Sequence, residues 1–211
     1  MAGCCNHDTK FDGLSPQYKR ALWWVIAING IMFFIEIFAG ISANSQALQA
    51  DALDFLADTA TYAISLLVIG KSLQLRSNAA LFKGFSLSLI GCWVLLSTLY
   101  RVFVTNSPTA LTMGSIGFLA LAANLASLVI LMKYRDGDAN VRSVWLCSRN
   151  DAIGNVAVIV AAAMVWGSQS AWPDLIVAAI MASLFLSSSW QIIRQALAEK
   201  RTTTEHAEHL T

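Results

Sequence analysis

Residues 109–132 read TALTMGSIGFLALAANLASLVILM, a run without a single formal charge. A helix in water needs a polar face, and this one would have none. At 1.5 Å per residue the run is long enough to cross the roughly 30 Å hydrocarbon layer of a bilayer. Working outward from it, five further apolar segments of similar length appear, at about 21–42, 46–70, 79–104, 141–167 and 171–195. An open sheet would leave backbone groups unpaired in lipid, and the ten-residue alternation of a membrane barrel is absent. The sequence therefore predicts an all-α integral membrane protein with six transmembrane helices.

Composition agrees. Of 211 residues 56% are hydrophobic and 13% charged, where soluble domains carry about a quarter charged. A formal net charge of +1 gives no basic excess that would suggest nucleic acid as a partner. Four cysteines are too few for a disulfide scaffold. Residues 1–20 are polar and hold no apolar core, so no cleavable signal peptide is expected. The chain divides into a tail at 1–20 with a CCNH cluster, a transport domain at 21–195 and a short tail at 196–211. Lys10, Lys19, Arg20, Lys71, Arg76, Lys83, Lys133, Arg135, Arg142, Arg194, Lys200 and Arg201 all fall on one side of such a bundle, and only Arg101 lies near the opposite loops. The positive-inside rule then makes both termini cytoplasmic. Trp23, Trp24 and Trp172 stand near span ends, as interfacial anchors or as packing residues.

The second segment breaks the apolar pattern. ADALDFLADT at 50–59 carries Asp51, Asp54 and Asp58. Counted from about residue 46, Asp54 lies about 12 Å and Asp58 about 18 Å into the membrane. An aspartate near the bilayer centre costs about 2.5–3.5 kcal/mol on insertion scales, which points to function. The i, i+4 spacing sets Asp54 and Asp58 on one helix face, with Asp51 a turn further out. In the fifth segment, SVWLCSRNDAIGNVAVI at 143–159, Cys147 and Asp151 repeat the spacing at similar depth. Three carboxylates and a thiolate make a four-ligand set for a divalent metal, zinc by ligand type or cadmium by the soft sulfur. The plain alternatives are a structural salt bridge through Arg149, and a packing role for Cys147 with Asn150 or Asn155 as the ligand instead.

SQALQADALDFLAD at 45–58 and LCSRNDAIGN at 146–155 resemble the second- and fifth-span signatures of the cation diffusion facilitators. The resemblance covers about residues 21–195. It implies a transporter that exports zinc or similar divalent cations from the cytosol, in exchange for protons and as a homodimer, with no cofactor. Asp54 and Asp58 match the family's second-span ligand positions and Asp151 its fifth-span acid. Cys147 stands where relatives usually have histidine, which gives softer metals more weight. Asn29, Glu36 and Asn124 resemble further polar positions of the family, and interhelical hydrogen bonding is the preferred role for them. The usual cytoplasmic domain is expected to be missing, since the sequence stops about sixteen residues past the last span.

Candidate accessory metal contacts are Asp51, Cys4, Cys5 and His7, and His206 with His209 at the end; for the tail residues the reading as solvated side chains carries more weight. Gly84, Ser86, Ser88 and Gly91 form a small-residue face that could join two copies. The expected location is a bacterial inner (plasma) membrane, with lipid, a divalent metal ion and protons as partners. A carrier for a small organic cation and a non-transporting membrane metal-binding subunit are the alternatives. No HExxH helix or other enzymatic constellation appears, so no catalysis is expected.

Overall fold

The computed structural model describes residues 15–68, 73–104, 107–134 and 139–208. Among the described residues all regular structure is helical: α1 (Pro16–Ser42), α2 (Gln46–Val68), α3 (Leu73–Phe103), α4 (Ala110–Leu131) with a 3₁₀ turn at Met132–Tyr134, α5 (Ala139–Ser168) and α6 (Trp172–Glu208). Among the described residues five stretches are long and apolar enough to cross a membrane: Pro16–Ser42, Ala80–Phe103, Ala110–Tyr134, Ser148–Ser168 and Trp172–Arg194. The expected second span is a helix of 23 residues, but Asp51, Asp54 and Asp58 keep it from meeting that standard by itself. Four helices, α1, α3, α5 and α6, also run past an end of the expected segments. α6, with 37 residues, is about 55 Å long, so the stretch expected to be a tail continues as helix through Glu208.

The helices sort into two groups. α1 packs along α2 and α4 along α5, with α1 also against α4; α3 and α6 form the most extensive pair of all, set against α2 and α5. Small residues allow the α3–α6 approach. A Cβ at Gly91 would come within 3.0 Å of Leu186, and one at Gly84 within 2.7 Å of Ile193. The Ser189 hydroxyl donates to the Gly84 carbonyl at 2.8 Å, and Ser88 and Ser189 share a further hydrogen bond. The small-residue face expected to join two copies is thus taken by α6 of the same chain, apart from Ser86, which lines a cavity.

Polarity runs inside out. Phe38, Phe103, Leu111, Trp166 and Trp190 point outward, while Asn29, Glu36, Asp51, Asn124 and Asn155 are buried. A soluble protein does not expose an apolar surface of this extent. In lipid the arrangement is the expected one, because buried polar groups there face the bundle interior. Trp23, Trp24 and Trp172 are exposed, as interfacial residues would be.

The loops at the α1–α2 end are short and tied together. α1 closes with Asn44 at φ 54°, a left-handed residue whose N–H meets the Ile41 carbonyl while that of Ser45 meets Gly40. These two bonds satisfy the last carbonyls of the helix. Ser45 then caps α2, its hydroxyl oxygen accepting from the Leu48 N–H at 3.0 Å. The Thr109 N–H reaches the Ala43 carbonyl at 2.9 Å, and the Ser107 hydroxyl reaches that of Gln169 at 3.0 Å. Three loops are thereby joined at one end of the bundle.

Candidate functional site

Three aspartates meet in one cavity. A space of about 570 Å³ opens between α2, α3, α5 and α6, with Asp54, Asp58, Asn150 and Asp151 among its walls. Helical period explains the arrangement on α2: Asp54, Ala57, Asp58 and Thr61 follow at three- and four-residue steps, so they share one face. Aliphatic groups from Leu87, Ile90, Met181 and Leu184 complete much of the remaining wall. The cavity runs toward Lys83 and Ile192, away from the tied loops.

The Asp151 carboxyl group interacts with those of Asp54 and Asp58, so acids of α2 and α5 face each other as expected from their depth. They stand as successive pairs. Among the described residues no three side chains of His, Cys, Asp or Glu converge in the manner a metal ion needs. Cys147 lies on α5 one helical turn before Asp151. Its side chain is outside the described set, as is that of His206, and Cys4, Cys5, His7 and His209 lie outside the described residues altogether.

Asp58 accepts a hydrogen bond from the Tyr62 hydroxyl one turn along α2, and Lys83 acts on it electrostatically. Lys83 itself donates to the Ser65 hydroxyl at 3.1 Å. Lys83, counted in the sequence only for the side of the bundle on which it falls, lies on α3 and lines the cavity. Arg149, the expected source of a structural salt bridge, is exposed and donates to Asn150 at 3.4 Å.

Asp51 points elsewhere. It is buried outside the cavity lining and accepts from the Asn155 side-chain amide at 2.6 Å; the Asn155 amide oxygen accepts in turn from Asn124 at 2.8 Å. This chain links α2, α5 and α4. The interhelical role expected for Asn124 holds. Asn29 departs from it, because its amide donates to the Val25 carbonyl of its own helix at 2.8 Å. Glu36 is fully buried, accepts from no amide, hydroxyl or backbone N–H, and pairs instead with the Asp51 carboxyl group of α2, an interhelical contact of the kind expected.

One residue that sequence reasoning missed is Asp174. Its carboxylate, 1% exposed, accepts from the Ser45 hydroxyl at 2.6 Å, the Gln46 N–H at 2.7 Å and the Ala47 N–H at 3.0 Å. It thereby caps α2 from α6. In the sequence it reads as an ordinary first-turn acid of its own helix after Pro173, and nothing local shows that it reaches 128 positions back to Gln46.

With this geometry in view, comparison with known proteins is specific. Residues 22–199 match the cation efflux transmembrane domain. The metal cation efflux system protein CzcD of Cupriavidus metallidurans is 25% identical over 191 residues, which cover 85% of this chain and 60% of that protein. The cadmium, cobalt and zinc/H(+)-K(+) antiporter of Bacillus subtilis is 27% identical over 192 residues, 82% of this chain and 60% of that one. Zinc transporter ZitB of Escherichia coli is 25% identical over 193 residues, 85% of this chain and 62% of that one. The chain therefore spans about 60% of the length of these curated relatives. The helical, lipid-facing bundle and the match over most of its length make this an integral membrane protein that belongs to the cation efflux family.

Proposed function

We propose that the chain exports a divalent transition-metal cation, zinc or cadmium, across a bacterial inner membrane in exchange for protons. The observation that carries this reading is the meeting of Asp54, Asp58 and Asp151 in one cavity that runs toward one end of the bundle. Carboxyl groups in such contact need a proton or a cation between them, because two adjacent carboxylates repel. Metal and proton therefore compete for the same oxygens, and competition of this kind couples their movements. The relatives' names point the same way, with zinc, cadmium, cobalt and protons among the ions they mention.

Asp54, Asp58, Asp151 and Cys147 are the proposed ligands. Both termini are cytoplasmic in this reading, so the cavity faces inward and the tied loops lie outside. Metal entry would draw α2 and α5 together around the ion. Opening to the other side would then follow from rocking of the α3–α6 pair against the other four helices, about the Asp174 tie at the outer end. Assembly as a homodimer through a surface other than the α3–α6 contact is part of the proposal. So is accessory capture of metal by Cys4, Cys5, His7, His206 and His209.

The cavity volume suits a small organic cation too, but its largely aliphatic wall offers only Phe82 and Phe185 as aromatic faces for one. Metal flux into sealed inside-out vesicles tests the proposal. Wild-type protein should move zinc or cadmium faster when the proton gradient opposes the metal, and Asp54→Asn or Asp58→Asn should abolish that flux while still inserting. Unchanged transport in both variants would remove the site, and flux indifferent to the gradient and to protonophore would remove the exchange.

A further inference from the structure

Glu36 is the buried group for which the cavity provides no role. It sits on the inner face of α1 with Asn29, Met32 and Gly40. Close approaches fix its level: a Cβ at Gly40 would touch Gln49 and Leu48, and one at Gly30 would touch Thr59. The antiparallel register between those contacts sets Glu36 beside the middle of the 49–59 stretch. Asp51 is its first electrostatic neighbour and Asp54 the next. Glu36 is wholly enclosed; its carboxyl group shares a hydrogen bond with that of Asp51 and accepts from no amide, hydroxyl or backbone N–H.

Two carboxyl groups in contact inside a membrane, one of them with no amide or hydroxyl donor, are costly to ionise unless a positive species joins them. Asp51 accepts from the Asn155 amide, which is held in place by Asn124, and faces Glu36 on its other side. The polar groups of four helices, α1, α2, α4 and α5, therefore converge on a spot lying beyond the cavity, on the side of the α1–α2 loop. The groups there that could bind a cation are carboxylate oxygens. We infer that Glu36 and Asp51 form a second cation site, which takes the divalent metal ion after it leaves Asp54, Asp58 and Asp151. The inference rests on the export reading above. It adds a second station further along α2, where Asp58, Asp54 and Asp51 form a line of acids at steps of four and three residues toward the outer end.

Donor chemistry separates the two stations. The Glu36–Asp51 site offers carboxylate oxygen alone, so it should hold manganese or zinc better than the softer cadmium. The intact chain in lipid nanodiscs, dialysed to equilibrium against manganese, should bind one ion at the cavity and a second at Glu36–Asp51. Glu36→Gln should lose one ion, Asp58→Asn should lose the other, and the double variant should bind none. In vesicles Glu36→Gln should lower zinc turnover by about tenfold, equivalent to about 1.4 kcal/mol, while cadmium still binds at the cavity. If Glu36→Gln does not reach the membrane, Asp51→Asn carries the same expectation.

A wild-type chain that transports zinc but binds a single ion, or a Glu36→Gln chain that binds as many ions as wild type, overturns the second station and leaves export intact. A wild-type chain that neither binds nor moves metal overturns both.

Discussion

Replacing Asp174 by alanine removes the group that holds the start of α2 to α6. Three donors lose their acceptor at once: the Ser45 hydroxyl and the Gln46 and Ala47 N–H groups, all in the interior. A hydrogen bond to a charged group is worth about 1.5–3 kcal/mol, though bonds sharing one acceptor do not add fully. Relief of the carboxylate's own burial offsets part of the loss. A net destabilisation of about 2–4 kcal/mol results, above the 0.5–2 kcal/mol of an ordinary helix cap. For a chain of this size that is a fall in Tm on the order of 5–15 °C. Tryptophan fluorescence during thermal unfolding in detergent would record it, with Trp172 two residues away as a local reporter. Ser45→Ala, which removes one of the three bonds along with the Leu48 cap, should cost less, and Asp174→Asn should fall between. Metal flux should drop with Asp174→Ala even below its melting range, because α2 carries Asp54 and Asp58. An alanine variant within about 0.5 kcal/mol of wild type would refute the reasoning, since the three donors would then have found equal partners elsewhere.

Cys147→His should keep zinc flux and lower the ratio of cadmium to zinc flux, because imidazole suits zinc while thiolate favours the softer ion; an unchanged ratio measured in the same vesicles would reduce Cys147 to a packing residue. Gly91→Leu should force α3 from α6, where even a Cβ would lie 3.0 Å from Leu186 and 3.2 Å from Phe185, at a cost of about 1–3 kcal/mol or more. Its signature is lowered thermal stability of the single chain; a variant that stays stable and only dissociates a dimer would restore the α3 face as an interface between copies.

The helices were legible in the sequence because lipid imposes a simple demand, an apolar run of sufficient length, and the runs at 21–42 and 109–132 lie within or beside α1 and α4. The aspartates of the cavity were legible for the converse reason, that an acid in such a run needs a cause. Spacing could not say which helix Glu36 or Asp174 would meet. Asp174 follows a proline in a first turn, a setting that predicts a contact with its own helix, and its real partner is fixed by how the α1–α2 and α5–α6 loops come together. Charge alone could not show what Lys83, near the start of the third apolar run, would face; α3 begins ten residues earlier, at Leu73, and its helical turn brings Lys83 into the cavity wall.

The helix that carries three acids is also the most enclosed, and these two facts explain each other. α2 touches α1, α3, α5 and α6, with a smaller contact to α4, so most of its surface meets protein rather than lipid. Residues on such a helix are freed from the hydrophobic requirement that governs the outward faces of α1 and α3, where Phe34, Phe38, Trp93 and Leu96 are exposed. The carboxylates of α2 can then be held by neighbours: Asp51 by Asn155, Asp58 by Tyr62, and the first turn by Asp174. An aspartate moved from position 54 to an outward position such as Leu96 would have no such partners and would face hydrocarbon directly. Five lipid-facing helices therefore create the setting in which a sixth can carry three acids, and the failure of α2 to meet the standard of a lone membrane span follows from its place inside the bundle.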